Sequence, residues 1–218
     1  MVHWTDEEYK ETKLIKQGKK SIAPKFIEIA NWINQEFEVK VLNINFQIIP
    51  ENKLPRLSII FENAEEEAKF KDDPFEVNKD KQDLVSKKYL KTIQNQKLDF
   101  NKEKLFTIFS SFKPNAIEEM NENIPQSEID NLKSKLAVKE LVRIERCFSA
   151  TVFFLETDEQ VKEFESNGQK ERFRLEYSKL LKSYDEFDYL EEDKYPIHLE
   201  SMETINKKYN GEIHWYFR

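Results

Sequence analysis

The sequence predicts an α+β protein made of two diverged copies of an α-β-β-α-α-β-α unit, closing on a β-α-β element. Three observations carry that expectation. Within residues 24–61 the apolar spacing switches from helical intervals to strict alternation. An apolar strand running into an acidic, capped helix start occurs at residues 59–70 and returns at 153–164. Strand, helix and strand then follow one another within 196–217, the length of a compact right-handed crossover.

The elements follow in order. The first 23 residues are polar and carry Lys10, Lys13, Lys16, Lys19 and Lys20 after an acidic start, which suits a short helix or an arm. Pro24 is placed to open a helix reading Phe26, Ile27, Ile29, Ala30, Trp32, Ile33 and Phe37, whose i, i+3, i+4 apolar positions mark a buried face. Over 39–49 the pattern alternates: Leu42, Ile44, Phe46 and Ile48 on one face, Asn43, Asn45 and Gln47 on the other. Pro50 and Pro55 bracket a turn, and 57–61 supplies the second strand of a hairpin. Asn63 caps the next helix, with Glu65, Glu66 and Glu67 in the first turn, where carboxylates favour the helix dipole. Leu84, Val85, Tyr89, Leu90 and Ile93 then mark a helix over 79–95. Lys97, Leu98, Asp99 and Phe100 read as a strand running into a helix with Leu105 and Phe106.

The second half repeats the order. Pro125 opens a helix with Ile129, Leu132 and Leu136, residues 138–146 are strand-like, and a second strand ends on Phe153, Phe154 and Leu155. Thr157, Asp158 and Glu159 start the next helix, and Phe173, Leu175, Tyr177, Leu180 and Leu181 mark another over 169–182. A strand over 196–199, a helix over 201–209 closed by Asn210 and Gly211, and a last strand over 212–217 complete the chain. On the last strand, alternation buries Trp215 with Ile213 and Phe217. The expected divisions are a polar N-terminal arm over 1–23, a first repeat over 24–122 and a second over 125–218.

Composition excludes whole classes of chemistry. The chain has 3 glycines in 218 residues, so no phosphate loop or dinucleotide fingerprint can be drawn on it. Phosphate cradles need closely spaced glycines to bring backbone N–H groups against the anion. The net charge of −7 disfavours phosphate backbones and suits a basic protein partner, above all in residues 123–218. One cysteine, Cys147, permits no internal disulfide or cysteine metal cluster, which fits a reducing cytoplasm. Neither a signal peptide nor a membrane span is expected, and no cofactor is implied.

Two constellations stand out. Residues 184–193 interleave Phe187 and Tyr189 with Asp185, Glu186, Asp188, Glu191, Glu192 and Asp193, and contain no base. Acids speed encounter with a basic partner, and a desolvated aromatic holds the complex. The run lacks the ligand order of a calcium loop. The other constellation joins His198 and Glu200 of one C-terminal strand to Glu212 and His214 of the next. If those strands are neighbours, imidazoles and carboxylates converge as metal binding or acid–base catalysis requires.

The expected function is therefore a non-catalytic protein-binding module, such as a toxin-neutralising, immunity-like protein or an accessory subunit. One alternative is a small metal- or acid–base-dependent enzyme using His198, Glu200, Glu212 and His214. Another is a nucleic-acid-binding adaptor working through the N-terminal lysines, although they lack interleaved aromatics and are half neutralised by Asp6, Glu7, Glu8 and Glu11.

Overall fold

Two compact units, Met1–Ala116 and Ile117–Arg218, divide the chain in the computed structural model, which describes residues 2–94, 100–148, 150–191 and 194–217. In the first unit, α1 (Glu7–Lys16) precedes a 3-10 turn at Pro24–Phe26 that leads into α2 (Ile27–Phe37). Glu38 ends α2 in the left-handed conformation, at φ 51°. The hairpin of β1 (Val41–Ile48) and β2 (Pro55–Phe61) is antiparallel, with one register shift between Val41 and Asn43. A short α3 (Ala64–Ala68), a small hairpin of β3 (Lys71–Asp73) and β4 (Glu76–Val77), and α4 (Lys79–Thr92) follow. Next come β5 (Phe106–Ser111) and α5 (Phe112–Asn123), within which the unit boundary falls. The sheet order is β1-β2-β5, with β5 parallel to β2.

The second unit runs α6 (Gln126–Leu136), β6 (Leu141–Cys147), β7 (Ala150–Leu155), α7 (Asp158–Ser166), α8 (Gln169–Lys182), β8 (His198–Ser201), α9 (Met202–Tyr209) and α10 (Ile213–Tyr216). Its sheet order is β6-β7-β8, again an antiparallel hairpin with a parallel third strand. The two units agree in finer detail. Ala137 ends α6 at φ 52°, and the register of β6 shifts between Leu141 and Arg143. Capping boxes start both α3 (Asn63 with Glu66) and α7 (Thr157 with Gln160). The last residue of each third strand is a serine donating to an acid: Ser111 to Glu67 at 2.6 Å, and Ser201 to Asp158.

One face of each sheet meets two helices. In the first unit α2 and α4 bring Ile29, Ile33, Val85 and Tyr89 against Ile44, Leu57, Ile59 and Phe61, all buried. Phe70, at the end of α3, stacks on Phe61 at 5.0 Å and on Phe109 at 4.3 Å. Such pairs add about 0.5–1.5 kcal/mol beyond their buried area. In the second unit Ile129, Leu132, Phe173, Tyr177 and Leu181 cover Leu141, Ile144, Phe153 and Leu155. Burial lifts the Tyr89 phenol to about 12.

The opposite faces are covered differently. The polar face of β1 is not left to water, because α1 lies on it. Asn43 Nδ2 donates to Thr12 Oγ1 at 3.0 Å and Asn45 Nδ2 to Glu11 Oε2 at 3.0 Å, while Gln47 and Arg56 donate to Glu8. Tyr9 of the same helix stacks on Phe112 at 5.0 Å and is fully buried. In the second unit the face bearing Val152 and Phe154 is covered by Ile205, Ile213, Tyr216 and Phe217 of the C-terminal segment.

Three expectations need correction. Leu105 and Phe106 do not enter a helix: β5 begins at Phe106 and the helix only at Phe112. Phe-Thr-Ile-Phe is β-prone and finds β2 as a parallel partner, which settles the local ambiguity. Of the strand expected over 97–100, residues 97–99 lie outside the described residues, and Phe100 is not in a strand. The chain does not close on a β-α-β element either, since residues Ile213–Tyr216 form a single helical turn. Ile213, Tyr216 and Phe217 are spaced i, i+3, i+4, and that period places all three on Val152 and Phe154. Trp215, expected to be buried, is consequently 49% exposed.

Candidate functional site

The acidic-aromatic run begins where α8 ends. Its geometry is set by Asp185, whose side chain is fully buried. One carboxylate oxygen accepts the Tyr189 N–H at 2.9 Å; the other accepts the Leu190 N–H at 2.8 Å and the Lys182 ammonium at 3.0 Å. Burial on its own would raise the pKa of this carboxyl, but the two backbone donors and Lys182 hold it below its ordinary value. Asp185 is therefore not one of the solvent-facing charges that the run suggests. It ties the loop to the last turn of α8. Leu190, two residues beyond the tip, is buried in the unit's core with Tyr195 and Ile197.

Between these anchors the chain bulges outward. Asp188 occupies the left-handed region at φ 57°, a conformation that aspartate tolerates better than most residues. Its side chain is 89% exposed and also pairs with Lys182. Glu186 and Glu191 are exposed, and Glu191 pairs with Lys194. Phe187 and Tyr189 are half-buried, their rings 5.6 Å apart and tilted by 39°. Glu192 and Asp193 lie outside the described residues. The loop thus presents carboxylates around an aromatic pair on a backbone closed by a buried aspartate.

The His/Glu constellation is arranged otherwise. His198 and Glu200 alternate along β8, in register with Val152 and Phe154. Glu212 and His214 belong to the α10 turn, not to a neighbouring strand, so the premise that aligned the two polar faces does not hold. Both are exposed, with His214 Nδ1 3.3 Å from a Glu212 carboxylate oxygen. Among the described residues no three His, Cys, Asp or Glu side chains are grouped to hold a metal ion.

Three of the N-terminal lysines pair within the first unit: Lys10 with Glu7 at 2.7 Å, Lys16 with Glu62 at 2.6 Å, and Lys20 with Glu11. The Lys20 ammonium lowers the Glu11 carboxyl below its usual range. Cys147 is half-buried, and burial together with the charges of Glu122 and Glu118 pushes its thiol up, away from the reactive thiolate.

One exposed feature has no counterpart among the sequence expectations: the β3–β4 hairpin, which carries Phe75 at its tip, 99% exposed. The Asp-Asp-Pro-Phe-Glu composition is its only sequence signal, a turn pattern without the long alternation that identifies strands. No helix among the described residues is long and apolar enough to cross a membrane. No known protein family matches the chain, and no curated protein or solved structure matches it either.

Proposed function

We propose that the chain is a non-catalytic protein-binding module that recognises a partner with a basic surface, in the manner of a toxin-neutralising immunity protein or an accessory subunit. The observation that carries this reading is the loop closed by Asp185. Its backbone is held by two hydrogen bonds to one buried carboxylate, so little ordering entropy remains to be lost on binding. Glu186, Asp188 and Glu191 provide long-range attraction beside the half-buried Phe187 and Tyr189. The free thiol of Cys147 agrees with work in the cytoplasm. We also read the two units as diverged copies of one ancestral unit. Their shared strand order, equivalent register shifts, capping boxes and strand-end serines support that reading.

Affinity capture from the source organism at low salt, followed by binding kinetics with the purified partner, tests the function. Glu186→Lys with Glu191→Lys should slow association several-fold and flatten its salt dependence, whereas Tyr189→Ala should speed dissociation. If both variants bind like the parent protein, the loop is not the recognition surface.

A further inference from the structure

In the second unit, α7 passes to α8 through Asn167 and Gly168 alone. The equivalent step in the first unit, from α3 to α4, takes residues 69–78 and contains the β3–β4 hairpin. The base of this insertion serves the fold. Phe70 is buried, Val77 packs against the core, and the Asn78 N–H donates to the Phe70 carbonyl at 2.9 Å. The tip does not. Phe75 projects with 99% of its surface exposed, while one Asp73 carboxylate oxygen accepts the N–H groups of Phe75 at 2.7 Å and Glu76 at 2.9 Å. A large aromatic ring is thus held out on a pinned turn where the shared plan of the two units requires no residue at all.

Its surroundings indicate what it meets. Asp72, Asp73 and Glu76 are exposed around the ring. The nearby cations are engaged within the unit: Lys71 pairs with Glu67 at 2.6 Å and donates to the Pro74 carbonyl at 3.4 Å, and Lys81 donates to the Lys69 carbonyl. Beside the hairpin runs a groove of about 400 Å³ lined by Ala64, Ala68 and Pro74, with Asp72 and Asp73 at its edge and Glu67 already paired with Lys71. An apolar floor with carboxylates at its edge fits the aliphatic stem and cationic head of a lysine or arginine. The same carboxylates repel anionic lipid and nucleic-acid phosphates.

We propose that the β3–β4 hairpin is a protein-docking knob: Phe75 enters an apolar pocket of a partner whose rim carries Lys or Arg, and one of those side chains lies in the groove along Ala64 and Ala68. This surface belongs to the first unit and stands without the loop that follows α8.

The test places the photoreactive analogue p-benzoylphenylalanine at position 75 of the full chain in the cells of origin, then uses the crosslinked protein, once purified, as the titrant. The expected result is one crosslinked protein, joined at a basic-rimmed apolar site. Phe75→Ala should bind it about 30-fold or more weakly. Glu76→Lys should slow association, and both variants should keep the parent's thermal midpoint. The proposal is overturned if no discrete protein is crosslinked, or if the crosslink joins two copies of this chain. It is equally overturned if Phe75 drives binding to phosphatidylglycerol vesicles, or if the titrant binds Phe75→Ala like the parent. Titrating Glu186→Lys with Glu191→Lys in parallel separates the two surfaces: loss there with retention in Phe75→Ala sinks the knob alone, and the converse sinks the loop alone.

Discussion

Asp185 has acceptor capacity that no other side chain of its size reproduces in that place. Its two oxygens serve the N–H groups of Tyr189 and Leu190 and the Lys182 ammonium at once. In Asp185→Asn the amide NH2 faces a donor, so at least one buried partner is left unsatisfied, at about 1–3 kcal/mol. Because the folded-state pKa is lowered, this contribution is fully present above the ordinary carboxyl value near 4. It is lost as pH falls through the lowered folded value. Urea midpoints should therefore separate parent and Asp185→Asn at pH 7, and the gap should close in acid. A gap independent of pH would show that the carboxylate charge is not what closes the loop. A second residue-scale network lies in the same unit. Tyr177 donates to Asn121 Oδ1 at 2.6 Å, and Asn121 Nδ2 donates to the Phe148 carbonyl at 3.1 Å. Arg146 donates to the carbonyls of Asn121 and Ile124, each at 2.7 Å, satisfying the end of α5.

Among the elements, the C-terminal turn separates two readings of one segment. As a strand, Trp215 would be a core residue, and its truncation would cost about 3–5 kcal/mol. As α10, it faces outward at 49% exposure, and Trp215→Ala should move the denaturation midpoint little. Ile205, fully buried between α9 and the sheet, provides the contrast: Ile205→Ala should cost about 2–5 kcal/mol. Equal losses in the two variants would restore the strand. The N-terminal helix illustrates a different principle. Glu8 and Thr12 are buried, yet they bind through Asn43, Gln47 and Arg56 rather than through an apolar stripe. Such an interface specifies one register, because a shift along β1 would strand several buried polar groups.

For the molecule as a whole, the consequence of two units is two separate cores. Phe70 belongs to one and Phe173 to the other. Phe70→Ala and Phe173→Ala should each cost about 3–5 kcal/mol, and hydrogen exchange should place the loss of protection in the unit that carries the substitution. Exchange that rises equally in both units for either variant would mean that the two cores form one cooperative structure.

The α+β class, both hairpins, the capped starts of α3 and α7 and the limits of α8 were legible in the sequence, because each rests on contacts within a few residues. Asn63 with Glu66 and Thr157 with Gln160 are local hydrogen-bond boxes, and the spacing of Phe173, Tyr177 and Leu181 is the helix period itself. Tertiary structure decided what local pattern leaves ambiguous. Residues 106–111 became a strand because β2 offers a parallel edge far away in sequence. Residues 213–217 satisfy a period of two through Ile213, Trp215 and Phe217 and a helical period through Ile213, Tyr216 and Phe217, and the apolar face of Val152 and Phe154 selected the helical one. The candidate surfaces divide in the same way. Composition alone marked the acidic-aromatic run, but the direction of each carboxylate depends on the backbone turn, which folded Asp185 inward and left Asp188 outside. Phe75 lies beyond the reach of periodicity altogether: its exposure follows from a two-residue strand pairing and the turn beneath it, which exist only once Phe70 is buried and Asn78 closes the hairpin.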